Sequence, residues 1–155
     1  GIVAYISSSS NFAEDTDGLI AAKSDISSTG LPWSNSTTTV VGTSAGYGTG
    51  LSNSNRIMNS SGASSFSFAA YNARYYSAGG HNDWFLPSQD ELRELWRNQL
   101  LIGNFSTSGS YWSSTELGFA SPYNGSTVYS LEFSDGIGNF ATKTWTLLVR
   151  PVRYF

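Results

Sequence analysis

The fold of this chain is best predicted from residues 82–92, which read Asn82-Asp83-Trp84-Phe85-Leu86-Pro87-Ser88-Gln89-Asp90-Glu91-Leu92. The apolar residues 84–86 predict a short buried strand, which ends at Pro87 because proline has no N–H to donate to a sheet. Ser88 and Glu91 have the spacing of a capping box, in which each side chain accepts a hydrogen bond from the other residue's backbone amide. The stretch therefore predicts a helix that begins at residue 89, and the helical spacing of apolar residues extends it to about residue 101.

The rest of the chain predicts helices in the first two thirds and an antiparallel β meander after them. In the final third, β-rich segments alternate with turn residues, and Asp135-Gly136 is typical of a hairpin turn because both residues tolerate positive φ. We expect one α+β domain over residues 1–155. Predicted strands cover residues 2–6, 84–86, 111–114, 128–133, 138–141 and 145–152, a short apolar run lies at 18–22, a long loop at 24–50, and predicted helices cover 52–59, 65–76 and 89–101.

A series of short motifs carries a family resemblance. The motifs are Gly18-Leu19-Ile20-Ala21-Ala22, Gly48-Thr49-Gly50, Ser52-Asn53, Ala69-Ala70, Asp83-Trp84-Phe85-Leu86-Pro87-Ser88, Asp90-Glu91-Leu92, Ile102-Gly103 with Phe105, Tyr111-Trp112-Ser113-Ser114-Thr115-Glu116 and Val149-Arg150-Pro151-Val152-Arg153. In this order they resemble the Lcl C-terminal domain family, the globular head of collagen-like bacterial adhesins and of other surface or fibre proteins. The resemblance covers essentially the whole chain and implies a compact α+β domain related to C-type-lectin-like folds.

The resemblance also implies a function and a location. It implies a non-enzymatic adhesion module at the end of a fibre, phage tail or cell-surface protein, outside the cell or on a virion. The expected partners are a glycan or cell-surface receptor and other copies of the chain, since collagen-like stalks are trimeric. Ala73 stands where relatives often carry a cysteine. Lys143 keeps a basic position of the family, but a net charge of −3 does not favour the sulfated polyanions implied for some relatives.

The composition excludes several classes of protein. Charged residues are 12% of the chain and aromatic residues 15%, so hydroxyl, amide and aromatic groups must cover much of the surface. The negative net charge and the lack of a basic cluster argue against nucleic acid binding. No apolar run is long enough to span a membrane, and no cysteine is present for disulfides or thiolate metal sites. No signal peptide is visible and the chain opens at Gly1, which indicates a processed protein or an excised domain.

Sequence signals for catalysis or metal binding are weak. His81 is the single histidine and follows two glycines, which is typical of a loop, and no Gly-x-Ser-x-Gly elbow accompanies it. We therefore expect no enzymatic activity and no cofactor. The acidic run with Asp15 and Asp17, together with Asp25, could begin a calcium site, but a solvated acidic turn is the favoured interpretation.

One carboxylate, Glu116, lies in an otherwise uncharged predicted strand. Because burial of an unpaired charge is costly, Glu116 requires a partner, and we predict an ion pair with Arg150 or Arg153. This interpretation gives the most prominent charges of the chain a structural role rather than a catalytic one.

Surface aromatic and amide groups are the predicted ligand-binding elements, because sugars stack on aromatic rings and hydrogen-bond to polar side chains. Core packing is the alternative for each aromatic residue, and Trp84, Trp96 and Trp112 are expected to be core residues. We predict a neutral glycan as the ligand; the alternatives are a structural subunit or cap of an extracellular filament, and an unrecognised hydrolase. The candidate binding residues are Trp33, then Tyr123 and Asn124 in the loop 117–127, and Asp135, Asn139, Lys143 and Trp145 in the loop 135–145.

Overall fold

Four helices and three small antiparallel sheets form the part of the chain that the computed structural model describes, residues 1–6, 18–118 and 125–155. The α+β class, with helices ahead of an antiparallel meander, is confirmed. The strands are β1 (Ile2–Ile6), β2 (Gly18–Ala21), β3 (Leu31–Pro32), β4 (Ser110–Glu116), β5 (Thr127–Glu132), β6 (Gly138–Thr142), β7 (Thr146–Leu147) and β8 (Val152–Tyr154). The helices are α1 (Gly50–Met58), α2 (Ala69–Tyr75), α3 (Gln89–Arg97) and α4 (Gln99–Ile102).

The first sheet joins segments from the beginning and the end of the chain. Its order is β1-β2-β8, so β2 pairs with β1 on one side and with β8 on the other, and Ala21 lies opposite Val152. The second sheet is the predicted meander, β4-β5-β6, and the third pairs β3 with β7.

The capping box at the start of α3 is confirmed. Ser88 N donates to Glu91 Oε2 at 2.8 Å, and Glu91 N donates to Ser88 Oγ at 3.4 Å. The helix ends at Arg97 rather than near residue 101, because the Asn98 side chain binds the Glu94 carbonyl at 3.1 Å and the backbone bends there before α4. Among the described residues, no helix has both the length and the apolar character needed to span a membrane.

The core lies on both faces of the meander. Neighbouring strand residues point to opposite faces, so Tyr111 and Tyr129 pack on the α3 side while Trp112 and Val128 pack on the α1 and α2 side. The expected core positions of Trp84 and Trp112 are confirmed, since neither side chain is exposed. Trp96 is only partly buried.

The predicted strand 84–86 is wrong except at one residue. Phe85 exchanges two backbone hydrogen bonds with Val152, of 2.8 and 3.0 Å. On either side, side chains satisfy the backbone instead: Ser54 Oγ accepts from Leu86 N at 2.9 Å, and Arg74 Nη1 donates to Trp84 O at 2.6 Å. These side chains take the places that a sheet ladder would need.

The predicted strand 145–152 is divided between two sheets. Its first part is β7 and its last residue begins β8, with Pro151 between them. Because proline cannot donate a ladder hydrogen bond, the chain leaves one sheet there and enters the other.

Candidate functional site

Glu116 and Lys143 form a fully buried ion pair. Lys143 Nζ lies 2.8 Å from Glu116 Oε2, donates to Thr39 O at 2.7 Å, and sits 4.7 Å from the centroid of the Trp33 ring. The other carboxylate oxygen of Glu116 accepts two backbone N–H groups from residues 41 and 42. The pair therefore fixes the loop 39–42 against the end of β4.

Arg150 and Arg153, the predicted partners of Glu116, pair with other carboxylates. Arg150 Nε donates to Asp25 Oδ1 at 2.6 Å. Arg153 donates two hydrogen bonds of 2.8 Å to Asp83, and these bonds lower the pKa of the Asp83 carboxyl. The predicted pairing is wrong because Arg153 lies in β8 of the first sheet and Arg150 reaches Asp25. Glu116 ends β4 in the second sheet and meets Lys143, the residue after β6 of the same sheet.

Trp33 and Lys143 are core residues, so their prediction as ligand-binding residues is also wrong. Trp33 is 1% exposed and Lys143 is 0% exposed. The Trp33 indole N–H donates to Ser113 O at 3.1 Å, which satisfies its polar edge inside the protein. Each residue directly follows a strand, in the kind of connecting segment that usually lies on the surface. Here Lys143 is held inside by Thr39 O and Glu116.

Of the predicted calcium ligands, Asp25 lies within the described residues, and its carboxylate is already engaged. One oxygen binds Arg150, and the other accepts the Tyr111 hydroxyl at 2.8 Å. Asp15 and Asp17 lie outside the described residues. In residues 1–6, 18–118 and 125–155, no group of three or more His, Asp or Glu side chains is placed to hold a metal ion.

Three of the predicted ligand-binding residues are on the surface but do not converge. Asp135 and Asn139 are exposed, and Trp145 is 59% exposed. Asp135 and Trp145 lie beyond opposite ends of β6, a five-residue strand that spans roughly 17 Å. Tyr123 and Asn124 lie outside the described residues.

An exposed cluster of three aromatic rings, absent from the sequence prediction, lies on α2 and the turn before it. Phe66, Tyr71 and Tyr75 form this aromatic triad, with Phe66 63% and Tyr75 57% exposed. The Tyr71 and Tyr75 rings are stacked, with centroids 4.6 Å apart and planes 28° apart. Phe66 lies 4.9 Å from Tyr71 and 5.3 Å from Tyr75.

The triad is held in place by the helix beneath it. Asn72 Nδ2 donates to Phe66 O at 2.6 Å and to Phe68 O at 2.9 Å, which attaches the preceding turn to α2. The opposite face of α2 buries three alanines, Ala69, Ala70 and Ala73. The i,i+4 spacing of two tyrosines opposite small residues was the sequence signal that could have located this site.

A cavity of about 190 Å³ lies beyond the C-terminal end of α2. Tyr76, the residue after α2, packs edge-on against Trp84 with centroids 5.4 Å apart. Between them, the turn at Gly79 and Gly80 has φ of 64° and 80°, which glycine adopts without strain. We call this the α2 cavity; its lining residues are Gly1, Ala22, Lys23, Tyr76, Ala78, Gly79 and Trp84.

The family model of the Lcl C-terminal domain matches residues 25–153. The chain belongs to the Lcl C-terminal domain family. No curated protein matches the chain. In this Lcl C-terminal domain, the matched region contains the whole aromatic triad and the cavity residues from Tyr76 to Trp84, whereas the cavity residues Gly1, Ala22 and Lys23 precede it.

Three tyrosine hydroxyls of this Lcl C-terminal domain donate to carboxylates. Tyr154 donates to Glu91 at 2.7 Å, Tyr47 to Glu94 at 2.6 Å, and Tyr111 to Asp25. Burial is the main cause that raises the pKa of each tyrosine, and the neighbouring carboxylate raises it further. These contacts therefore stabilise the fold only while the hydroxyls stay protonated.

We expect this Lcl C-terminal domain to lose stability above pH ~10, the ordinary pKa of tyrosine. A tyrosine whose pKa is raised by folding stabilises fully below its unfolded pKa, and that contribution is lost as the pH rises towards the folded value. The free energy of unfolding should fall with rising pH, and Tyr154 contributes at most about 1.4 kcal/mol per pH unit to this slope. Urea denaturation between pH 8 and pH ~11 measures it. The variant Tyr154→Phe should have a shallower slope; an unchanged slope would contradict the assignment.

Proposed function

We propose that this domain is a non-enzymatic adhesion or receptor-binding module that binds glycan through the aromatic triad. The observation that carries the proposal is the group of three rings held together on the surface of α2. We further propose that the domain acts outside the cell, as the head of a fibre or surface protein, and needs no cofactor. The expected likeness to C-type-lectin-like folds stays a prediction.

The triad has the chemical character of a sugar platform. Aromatic side chains contribute most when a ligand covers their faces, and exposed apolar clusters mark interaction sites. The neighbouring Tyr75 side chain raises the pKa of the Tyr71 hydroxyl, so both rings present protonated hydroxyl groups to a ligand. Because Asn72 already orders the turn with Phe66, little conformational entropy is lost on binding.

The decisive experiment is a glycan array followed by titration of the glycans that bind. Tyr71→Ala should weaken binding about tenfold or more, because an aromatic side chain buried against a ligand contributes roughly 1.5–3 kcal/mol. The matched control is Trp145→Ala, which removes another exposed aromatic residue from a predicted binding loop and should leave affinity unchanged. Loss of binding in Trp145→Ala and not in Tyr71→Ala would move the site to the β6 region and contradict the proposal.

A structural role in a filament is the second candidate, and a separate surface favours it. Leu100 and Leu101 on α4 are 95% and 79% exposed, and Val3 and Ile6 on the edge strand β1 are 49% and 67% exposed. Such apolar groups gain free energy when a neighbouring molecule covers them. A blank glycan array, together with large assemblies in light scattering that disappear in Leu100→Ser, would favour the filament role over glycan binding.

A further inference from the structure

The cations of the chain are almost all engaged by the protein itself. The sequence has eight Lys and Arg residues, and the structure describes all of them. Lys23 is exposed, and its ammonium contacts no acceptor among the described residues. The cations bound to carboxylates, carbonyls or side-chain oxygens are Arg56, Arg74, Arg93, Arg97, Lys143, Arg150 and Arg153.

The backbone around Lys23 is fixed although its side chain is exposed. Ala22 N donates to Pro151 O at 2.9 Å, and Arg150 Nη1 donates to Ala22 O at 3.1 Å. Asn104 Nδ2 donates to Lys23 O at 3.2 Å. The Lys23 side chain, whose ammonium has no acceptor among the described residues, therefore extends from a fixed backbone position in the lining of the α2 cavity.

The lining of the α2 cavity also includes the partly exposed ring of Tyr76 and a turn with spare backbone donors. Ala78 and His81 bind each other through their own N–H and C=O groups, at 3.1 and 3.2 Å. The amides of Gly79 and Gly80 donate to no acceptor among the described residues, and a Cβ placed at Gly79 would meet no atom within 4 Å. The cavity thus has open space beside unused N–H groups, and Lys23 belongs to the same lining.

We propose that the α2 cavity binds one acidic sugar unit, a uronic or nonulosonic acid, with its carboxylate on the Lys23 ammonium and its ring against Tyr76. This inference rests on the proposed glycan binding and names the ligand class. The volume of about 190 Å³ lies below the roughly 300–1,000 Å³ of drug-sized sites, which suits a single sugar unit. Tyr75 of the triad directly precedes Tyr76, so the triad and the cavity include neighbouring residues of the polypeptide.

The charge distribution favours one carboxylate over a polyanion. Binding of a sulfated polymer needs a cluster of free cations, whereas Lys23 is the one Lys or Arg side chain without an acceptor among the described residues, and the net charge is −3. The nearby carboxylate of Asp83 is neutralised by Arg153, which removes its repulsion from the cavity. A carboxylate on a lysine ammonium forms a charge-assisted hydrogen bond, stronger than one between neutral groups.

The test compares acidic sugars with their uncharged esters. Methyl glycosides of glucuronic acid and N-acetylneuraminic acid are titrated into the isotope-labelled chain, and affinity and shifted amide resonances are recorded by NMR. We expect shifts at Lys23, Tyr76 and Gly79, and about tenfold weaker binding of the methyl esters. Added salt should weaken binding of the acids and leave the esters unchanged.

Variants separate this inference from the proposed function. Lys23→Met should bind acid and ester equally, and Lys23→Arg should keep the preference for the acid. Tyr71→Ala should weaken the binding of longer glycans of either kind without changing that preference.

If neutral glycans bind through the triad and the acids gain nothing from Lys23, this inference is overturned and the proposed function stands. If no glycan binds, both this inference and the proposed function are overturned. Lys23-dependent binding of N-acetylglycine without any sugar binding would also overturn it, in favour of a peptide carboxylate.

Discussion

Replacing Glu116 by glutamine is expected to lower the free energy of unfolding by about 3–5 kcal/mol, the usual result of removing one member of a buried ion pair. The ammonium of Lys143 would remain fully buried with Thr39 O as its acceptor and the Trp33 ring beside it, but without a countercharge. Glutamine has nearly the same volume and keeps an oxygen for the two loop amides. The measured loss, from urea denaturation near neutral pH, would therefore report the charge.

The double variant Glu116→Gln, Lys143→Met is the matched control. It removes the buried ammonium along with the carboxylate, and exchange of a buried pair for uncharged groups is often neutral or stabilising. We expect the double variant to be more stable than Glu116→Gln alone. A single variant within about 1 kcal/mol of the parent, the level of an exposed pair, would contradict the burial of this charge. So would a double variant no more stable than the single one.

Replacing Arg150 by methionine is expected to destabilise the domain by a similar amount, about 3–5 kcal/mol. The guanidinium is buried, pairs with Asp25, donates to Ala22 O and Gly103 O at 3.1 and 3.3 Å, and lies 4.0 Å from the centroid of the Phe105 ring. Methionine fills much of the space but leaves the carboxylate and the carbonyls without donors. Thermal and urea unfolding should both detect the change.

Arg153→Met is the matched control for this prediction. Arg153 lies three residues further along the chain and makes two hydrogen bonds to Asp83, whose side chain is 50% exposed. Because water can replace the partner of an exposed carboxylate, we expect a loss below about 1 kcal/mol. Equal losses in the two variants would contradict the distinction between a buried and a solvent-exposed ion pair.

Local signals in the sequence were sufficient for the elements that depend on few residues. The capping box predicted the first residue of α3 because both partners lie within one turn of each other. The hairpin signal at Asp135-Gly136 was right about Gly136, whose φ is 76°, but the connection is longer than a two-residue turn, since β5 ends at Glu132 and β6 begins at Gly138.

The ion pairs could not be predicted, because they depend on which strands share a sheet. The sequence indicated that Glu116 needs a partner, but it did not place Lys143 closer than Arg150 or Arg153. Glu116 pairs with Lys143 because β4 and β6, which precede these two residues or contain them, share the second sheet, whereas β8 belongs to the first sheet. The long loop 24–50 was likewise predicted from its polar composition, yet side chains anchor it: Asn53 accepts from Ser44 N at 2.9 Å.

The aromatic triad was missed for a different reason. The helix around residues 65–76 was predicted, but its aromatic residues were not separated into a buried and an exposed face. Burial of the small residues Ala69, Ala70 and Ala73 reverses the usual pattern, in which large apolar side chains face the core. The exposed face of α2 therefore carries the rings.

The central position of β2 between β1 and β8 also affects how the polypeptide folds during synthesis. During synthesis the earlier residues leave the ribosome first, yet Leu19 and Ala21 find their partners at Tyr154 and Val152. The first sheet cannot be completed until β8 has emerged, and nascent chains that stop short of β8 keep one edge of β2 without its neighbour.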